Sequence, residues 1–160
     1  MRRVTLSFDN GPTPGITEQV LDILARRGIH SSFFVIGQKL LDPKAAAAMQ
    51  SAHRVGHWIG NHTLTHAVPF GDCRTAAFAA DEIGKTEALI GALACPKKLF
   101  RPYGRQGTVG PHLFSRASVD YLNTHQYRTI LWNAVPGDWR DQAGWVGLVL
   151  WWLGWVLFEG

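Results

Sequence analysis

Cysteine is scarce. Cys73 and Cys95 are the only two in 160 residues, and neither stands at a spacing used by metal-binding thiolates or a disulfide framework. They leave the redox compartment open. A cleavable apolar leader is also missing: Met1-Arg2-Arg3 runs straight into a strand-like segment, so the chain as written is expected to stay in the cytoplasm. No basic stripe exists either. The formal net charge is +4 and the pI about 9.4, yet Arg2-Arg3, Arg26-Arg27 and Lys97-Lys98 are scattered pairs, which speaks against nucleic acid as a partner. There is neither an internal repeat nor a low-complexity linker. An apolar content of 46% excludes general disorder, and the length suits one domain with a real core. Oligomeric state does not follow from any of these features.

Polar side chains are absent from one stretch, Trp145 to Phe158 (WVGLVLWWLGWVLF). A helix packed on the outside of a sheet would show a polar face there. The run is shorter than the roughly 20 residues that span a bilayer. It also lacks the charged face of a membrane-surface helix, so a membrane partner is not expected. A buried terminal helix and an aberrant end, from truncation or a shifted reading frame, both stay open. Residues 145–160 are therefore set apart from a domain at 1–144.

What is present is an alternation of strand and helix patterns. Val4 to Phe8 alternates as a strand, and Ile16 to Arg27 carries Ile16, Val20, Leu21, Ile23 and Leu24 at helical spacing, with Gly28 as its stop. Between them SFDNGP reads as a strand-to-helix loop. The apolar run Ser31 to Gly37 suits a buried parallel strand. An Ala-rich helix over Pro43 to Ser51 follows, then a short strand, His57 to Asn61. Asp72 to Ala94 favours helix with interruptions at Gly84 and Gly91. Lys98 to Arg101 reads as a fourth strand, Ser115 to His125 as a helix and Tyr127 to Trp132 as a fifth strand. Such alternation implies an α/β fold with a mainly parallel sheet, open or closed into a barrel.

Four short segments at strand ends carry chemistry. Asp9-Asn10 follows the first strand, where α/β folds place their sites. His62-Thr63-Leu64-Thr65-His66 puts two histidines four apart, and a helical turn there would let both imidazoles share one metal ion. Arg101, beside Pro102, could hold a carboxylate by a bidentate pair; a solvated surface Arg in a turn is the plainer reading. Asp138 lies in a segment flanked by Trp132 and Trp139, which are either core packing or an aromatic wall for a sugar ring.

Taken together in chain order, these segments resemble the polysaccharide deacetylases with a NodB homology domain, carbohydrate esterase family four. The family motif T-F-D-D-G is matched by Ser7-Phe8-Asp9-Asn10-Gly11, and H-[ST]-x-x-H by His62, Thr63 and His66. R-x-P-[YFW] is matched by Arg101-Pro102-Tyr103 with one residue missing, and the fourth motif by Asp138-Trp139. The likeness runs from Val4 to about Trp145. It implies a distorted (β/α) barrel, here incomplete, with a divalent metal, zinc or cobalt, at the strand C-termini. It further implies an acetylated carbohydrate as substrate.

Carried over, Asp9 is the general base, and Asn10, His62 and His66 stand at the metal-ligand positions. Arg101 orients Asp9, Tyr103 lends a backbone N–H to the oxyanion, and Asp138 with Trp139 supports the site. Tyr103, Trp132 and Trp139 are the candidate sugar contacts. Two departures stand out. Asn10 replaces the usual ligand Asp and brings no negative charge, so weaker metal retention is expected. No histidine follows Trp139, whereas the family's general-acid His lies on a later strand. Both departures suit an impaired enzyme or a non-catalytic sugar-binding relative, and the second suits a truncated C-terminus.

Overall fold

A computed structural model of the chain describes residues 4–138 and 140–141. Strands β1 (Ser7–Gly11), β2 (Ser32–Val35), β3 (Trp58–Asn61), β4 (Leu99–Phe100) and β5 (Arg128–Thr129) form one parallel sheet in the order β1-β2-β3-β4-β5. Each strand pairs with the next in sequence and helical segments fill the connections, which is the winding of a (β/α) barrel. Among the described residues β1 and β5 do not pair with each other, so the sheet is an open arc.

The first strand lies later than the Val4–Phe8 alternation predicts. Ser7, Phe8 and Asp9 pair with Ser32, Phe33 and Phe34, and the register then skips to Gly11 opposite Val35. Asn10, at φ 67°, is the extra residue. The positive φ that Asn tolerates before Gly is thus used in a bulge within the strand rather than in a turn after it. The loop proper begins at Pro12.

Helix α1 (Ile16–Arg27) has the expected bounds and ends at Gly28, φ 61°. Its first turn is closed by Glu18 Oε2, which accepts the Gly15 N–H at 2.7 Å. Helix α2 (Pro43–Arg54) extends past the expected Ser51 and is capped by Asp42, whose Oδ1 accepts the Lys44 N–H at 2.8 Å. The helix-favouring segment 72–94 divides into α3 (Ala76–Ala79), a π-helical turn (Ala80–Gly84) and α4 (Lys85–Ile90), with breaks at the expected Gly84 and Gly91. Gly84, where the π turn ends, leaves room for the Tyr121 hydroxyl of α5 (Arg116–Thr124), from which a Cβ would lie 2.6 Å.

Strand alternation sorts the side chains onto two faces. Phe33, Val35 and Ile59 face the helices and pack with Leu24, Met49 and Ile90, while Phe8 lies against the same cluster. Phe34 points to the other, inner face beside Leu99. Opposite it stands Gly60, where any Cβ would come within 2.8 Å of the Phe34 ring. Because Asp9 pairs with Phe34 and alternates with Phe8, it too is directed to the inner face. None of the helices among the described residues is long and apolar enough to cross a membrane.

Candidate active site

Three strand ends meet on the inner face. Arg101, directly after β4, is 4% exposed, and all three of its guanidinium nitrogens donate hydrogen bonds. Nη1 donates to Asp9 Oδ1 and to Ser7 Oγ, each at 2.7 Å; Nε donates to the Ile130 carbonyl at 3.1 Å and Nη2 to the Leu131 carbonyl at 3.3 Å. The Phe34 ring lies 4.0 Å beneath its central carbon. A planar fork with five donors suits this convergence, and a single ammonium would not. Asp9 is thereby held by one carboxylate oxygen, and its side chain keeps about 29% exposure towards the open side.

The second oxygen, Asp9 Oδ2, lies 4.0 Å from His62 Nε2, too far for a hydrogen bond. The other His62 nitrogen, Nδ1, is 2.8 Å from the Arg101 carbonyl, an acceptor, so Nδ1 carries the proton and Nε2 presents its lone pair. Burial pulls His62 below the usual imidazole range and outweighs the opposing influence of the Asp9 carboxylate. His66 is lowered as well, to about 4, first by burial and then by the neighbouring His62 and Lys39. Both rings are neutral at pH 7, the form that binds metal. Their centroids are 4.7 Å apart, and Tyr103 lies against His66 with centroids 4.1 Å apart.

The histidines do not sit on a helical turn. Residues 62–66 form a loop in which Thr63 (φ 67°) and His66 (φ 55°) take left-handed conformations that cost a non-glycine residue roughly 1–3 kcal/mol each. The loop is held from outside. Glu82 Oε2 accepts the Leu64 and Thr65 N–H groups at 2.9 and 3.0 Å, and Oε1 accepts the Thr65 hydroxyl at 2.9 Å. Asn61 Oδ1 accepts the Thr63 N–H at 3.0 Å.

Asn10 is exposed, and its backbone carbonyl accepts the Lys39 ammonium at 2.7 Å. Trp132 is half-buried: its indole N–H donates to the Gly107 carbonyl at 2.6 Å, and its ring lies where a Cβ on Gly104 would sit. Asp138 is exposed. Trp139 and the stretch 145–160 lie outside the described residues. Sequence reasoning missed Ser7, Asn61, Glu82 and Lys39. Asn61 alone stands at a local spacing from a partner, two residues before Thr63; Ser7, Lys39 and Glu82 meet theirs only across the fold, at separations of 94, 29 and 17–18 residues.

Among the described residues no three His, Cys, Asp or Glu side chains converge as a metal cage. The donors that do meet are two neutral imidazoles, one with its tautomer set by a backbone carbonyl and its free Nε2 facing a carboxylate oxygen. That donor chemistry fits a borderline divalent ion.

A sequence profile described as polysaccharide deacetylase matches residues 1–130. A chitooligosaccharide deacetylase from Rhizobium leguminosarum bv. trifolii is 31% identical over 138 residues, 86% of this chain and 60% of its own length. A solved peptidoglycan N-acetylglucosamine deacetylase superposes with a TM-score of 0.70 at 25% identity, over 85% of this chain and 59% of its own. A family 4 acetyl xylan esterase from Clostridium thermocellum, solved with a cobalt ion, gives a TM-score of 0.59 at 30% identity, over 72% of this chain and 52% of its own. The chain spans between about half and three fifths of these relatives' lengths.

Proposed function

The chain belongs to the polysaccharide deacetylase family, and on that premise we propose that it hydrolyses acetyl groups, N-acetyl in the first place, from a poly- or oligosaccharide, with a divalent metal, zinc before cobalt, as cofactor. The domain assigned to 1–144 carries this activity. The observation that supports it best is Asp9, fixed through one oxygen by Arg101 at 2.7 Å while the other faces His62 Nε2 at 4.0 Å. A base and a metal-side imidazole thus address the same space.

His62, His66 and Asn10 would hold the ion, which when bound supplies Lewis-acid polarisation of the acetyl carbonyl and acidifies the attacking water. Asp9 Oδ2 takes the proton as the water oxygen adds to the acetyl carbon. Arg101 keeps the carboxylate from turning away, because a second bond to Ser7 and two to backbone carbonyls fix the guanidinium itself. The Tyr103 N–H is the donor assigned to the developing oxyanion. Cleavage of the C–N bond releases acetate and an amine that takes up one proton, and Asp9, having just gained one, is positioned to return it. Tyr103, Trp132 and Trp139 provide aromatic surface for a sugar ring, with Asp138 in support. Relatives named for chitooligosaccharide and peptidoglycan N-acetylglucosamine make an N-acetylglucosamine oligomer the substrate class assigned here.

Acetate release from such oligomers, with zinc or cobalt added, tests the reading. Asp9→Asn should lower kcat by on the order of 10²–10⁴-fold with metal retained, and His62→Ala should lose the metal. Undiminished turnover by Asp9→Asn would sink the assignment. A second reading, a non-catalytic sugar-binding domain, is favoured by the neutral Asn10 and by the Lys39 ammonium anchored beside it. Oligomer binding without acetate release, by chain that takes up no metal, would establish that reading instead.

A further inference from the structure

The histidine loop depends on a part of the chain that neither the motifs nor the proposed chemistry uses. Within the loop, the Thr63 hydroxyl accepts the His66 N–H at 3.1 Å, which leaves the Leu64 and Thr65 amides and the Thr65 hydroxyl as donors without a local acceptor. All three converge on the one carboxylate of Glu82. An ionised carboxylate has two oxygens and no donor, so it can accept all three at once.

Glu82 is 5% exposed and has no cationic partner among the described residues, so its charge is stabilised by these bonds. Its own position is fixed as well. The Thr86 hydroxyl donates to the Glu82 carbonyl at 2.9 Å, and Asn61 Nδ2 donates to the Ile83 carbonyl at 2.8 Å. Through Asn61, which also holds the Thr63 amide, the pair Glu82-Ile83 grips both the entry and the middle of the loop. Both residues lie in the π turn, Ala80–Gly84, and such turns recur at functional sites because the extra residue redirects side chains and leaves a carbonyl free of the regular ladder.

We infer that Glu82 is the positioning residue of the site: acting through Leu64 and Thr65, it sets where the His62 and His66 imidazoles stand relative to each other and to Asp9. Groups that fix metal ligands from behind govern affinity by about 10–100-fold. This inference rests on the metal reading above, and its test separates the two. Cobalt(II) titration and imidazole ¹⁵N shifts are recorded on wild type, Glu82→Ala, Glu82→Gln and Thr65→Val, each verified as folded by its unfolding transition.

Glu82→Ala should weaken cobalt affinity about tenfold or more and shift both histidine resonances. Glu82→Gln retains one acceptor oxygen for the two amides, and its NH₂ can donate to the Thr65 hydroxyl, so it should restore most of both readouts. Thr65→Val, which removes one of the three bonds, should move them in the same direction by less, and decides the matter if Glu82→Ala does not fold. Unchanged cobalt affinity in folded Glu82→Ala overturns the inference. So does a Glu82→Gln variant as weak as Glu82→Ala, because charge and not the grip on the loop would then be what matters. Wild type that binds no cobalt removes the metal reading alone; the imidazole shifts then decide, moved by Glu82→Ala and restored by Glu82→Gln if Glu82 places the rings, unmoved if it does not.

Discussion

At the scale of single residues, the site turns on the difference between a fork and a point charge. Arg101 makes four hydrogen bonds from three nitrogens, and a lysine at the same place could satisfy at most a part of them. Arg101→Lys should therefore lose about 1–2 kcal/mol of stability, since the partly buried Ile130 and Leu131 carbonyls and Ser7 lose donors, as read by chemical denaturation. Acetate release should fall with it, while cobalt affinity should change little, because Arg101 touches the base and not the imidazole Nε2. Asn10 raises the opposite question. Ligand charge count tunes cation affinity, so Asn10→Asp should tighten metal binding by about tenfold in a competition titration; unchanged affinity would remove Asn10 from the ligand set.

Elements, rather than residues, decide where acid attacks the fold. His57, buried at the entry to β3, accepts the Ser31 N–H on Nδ1 at 3.0 Å and lies edge-on to Phe33 of β2. Burial, followed by the nearby His30, lowers its pKa below 6.5. A base whose folded pKa is depressed binds its proton more readily when unfolded. The stability it contributes is thus present above the unfolded value and is lost as pH falls through 6.5 towards the folded pKa. The imidazolium would also lose the Nδ1 acceptor that ties the start of β2 to β3. His57→Asn, whose amide oxygen can still accept from Ser31, should flatten the dependence of denaturation midpoint on pH between about 7.5 and 5.5. An unaltered slope would assign the acid sensitivity to His62 and His66, which shift in the same direction.

At the scale of the whole molecule, the governing feature is the arc of five strands, open among the described residues. Arg101 acts as a strut across it, bonding β1 through Ser7 and Asp9 and the segment after β5 through the Ile130 and Leu131 carbonyls. Yet β1 and β5 remain edges among the described residues, and apolar side chains stand exposed beside them, Val4 and Leu6 at one and Leu131 at the other. Unpaired edges with apolar neighbours favour association between copies. Light scattering behind size exclusion should show mass rising with protein concentration, and Leu6→Lys with Leu131→Lys should lower that tendency. A constant monomer mass across the range would mean that the edges are covered.

The sequence by itself determined the parallel α/β architecture, because strand and helix periods are local properties of each segment. It also determined the order in which three of the chemical segments, at Asp9, His62–His66 and Arg101, reach one sheet edge, since every strand of such a fold ends on the same side. Asp9, His62, His66 and Arg101 were legible for that reason, as was the end of α1 at Gly28. Tertiary structure alone decided the rest. The bulge at Asn10 depends on pairing with β2, the left-handed histidine loop on Glu82 from a distant π turn, and the seat of Trp132 on the closeness of Gly104. None of these has a local period, because each is a hydrogen bond or contact between segments whose separation along the chain carries no signal until the chain has folded.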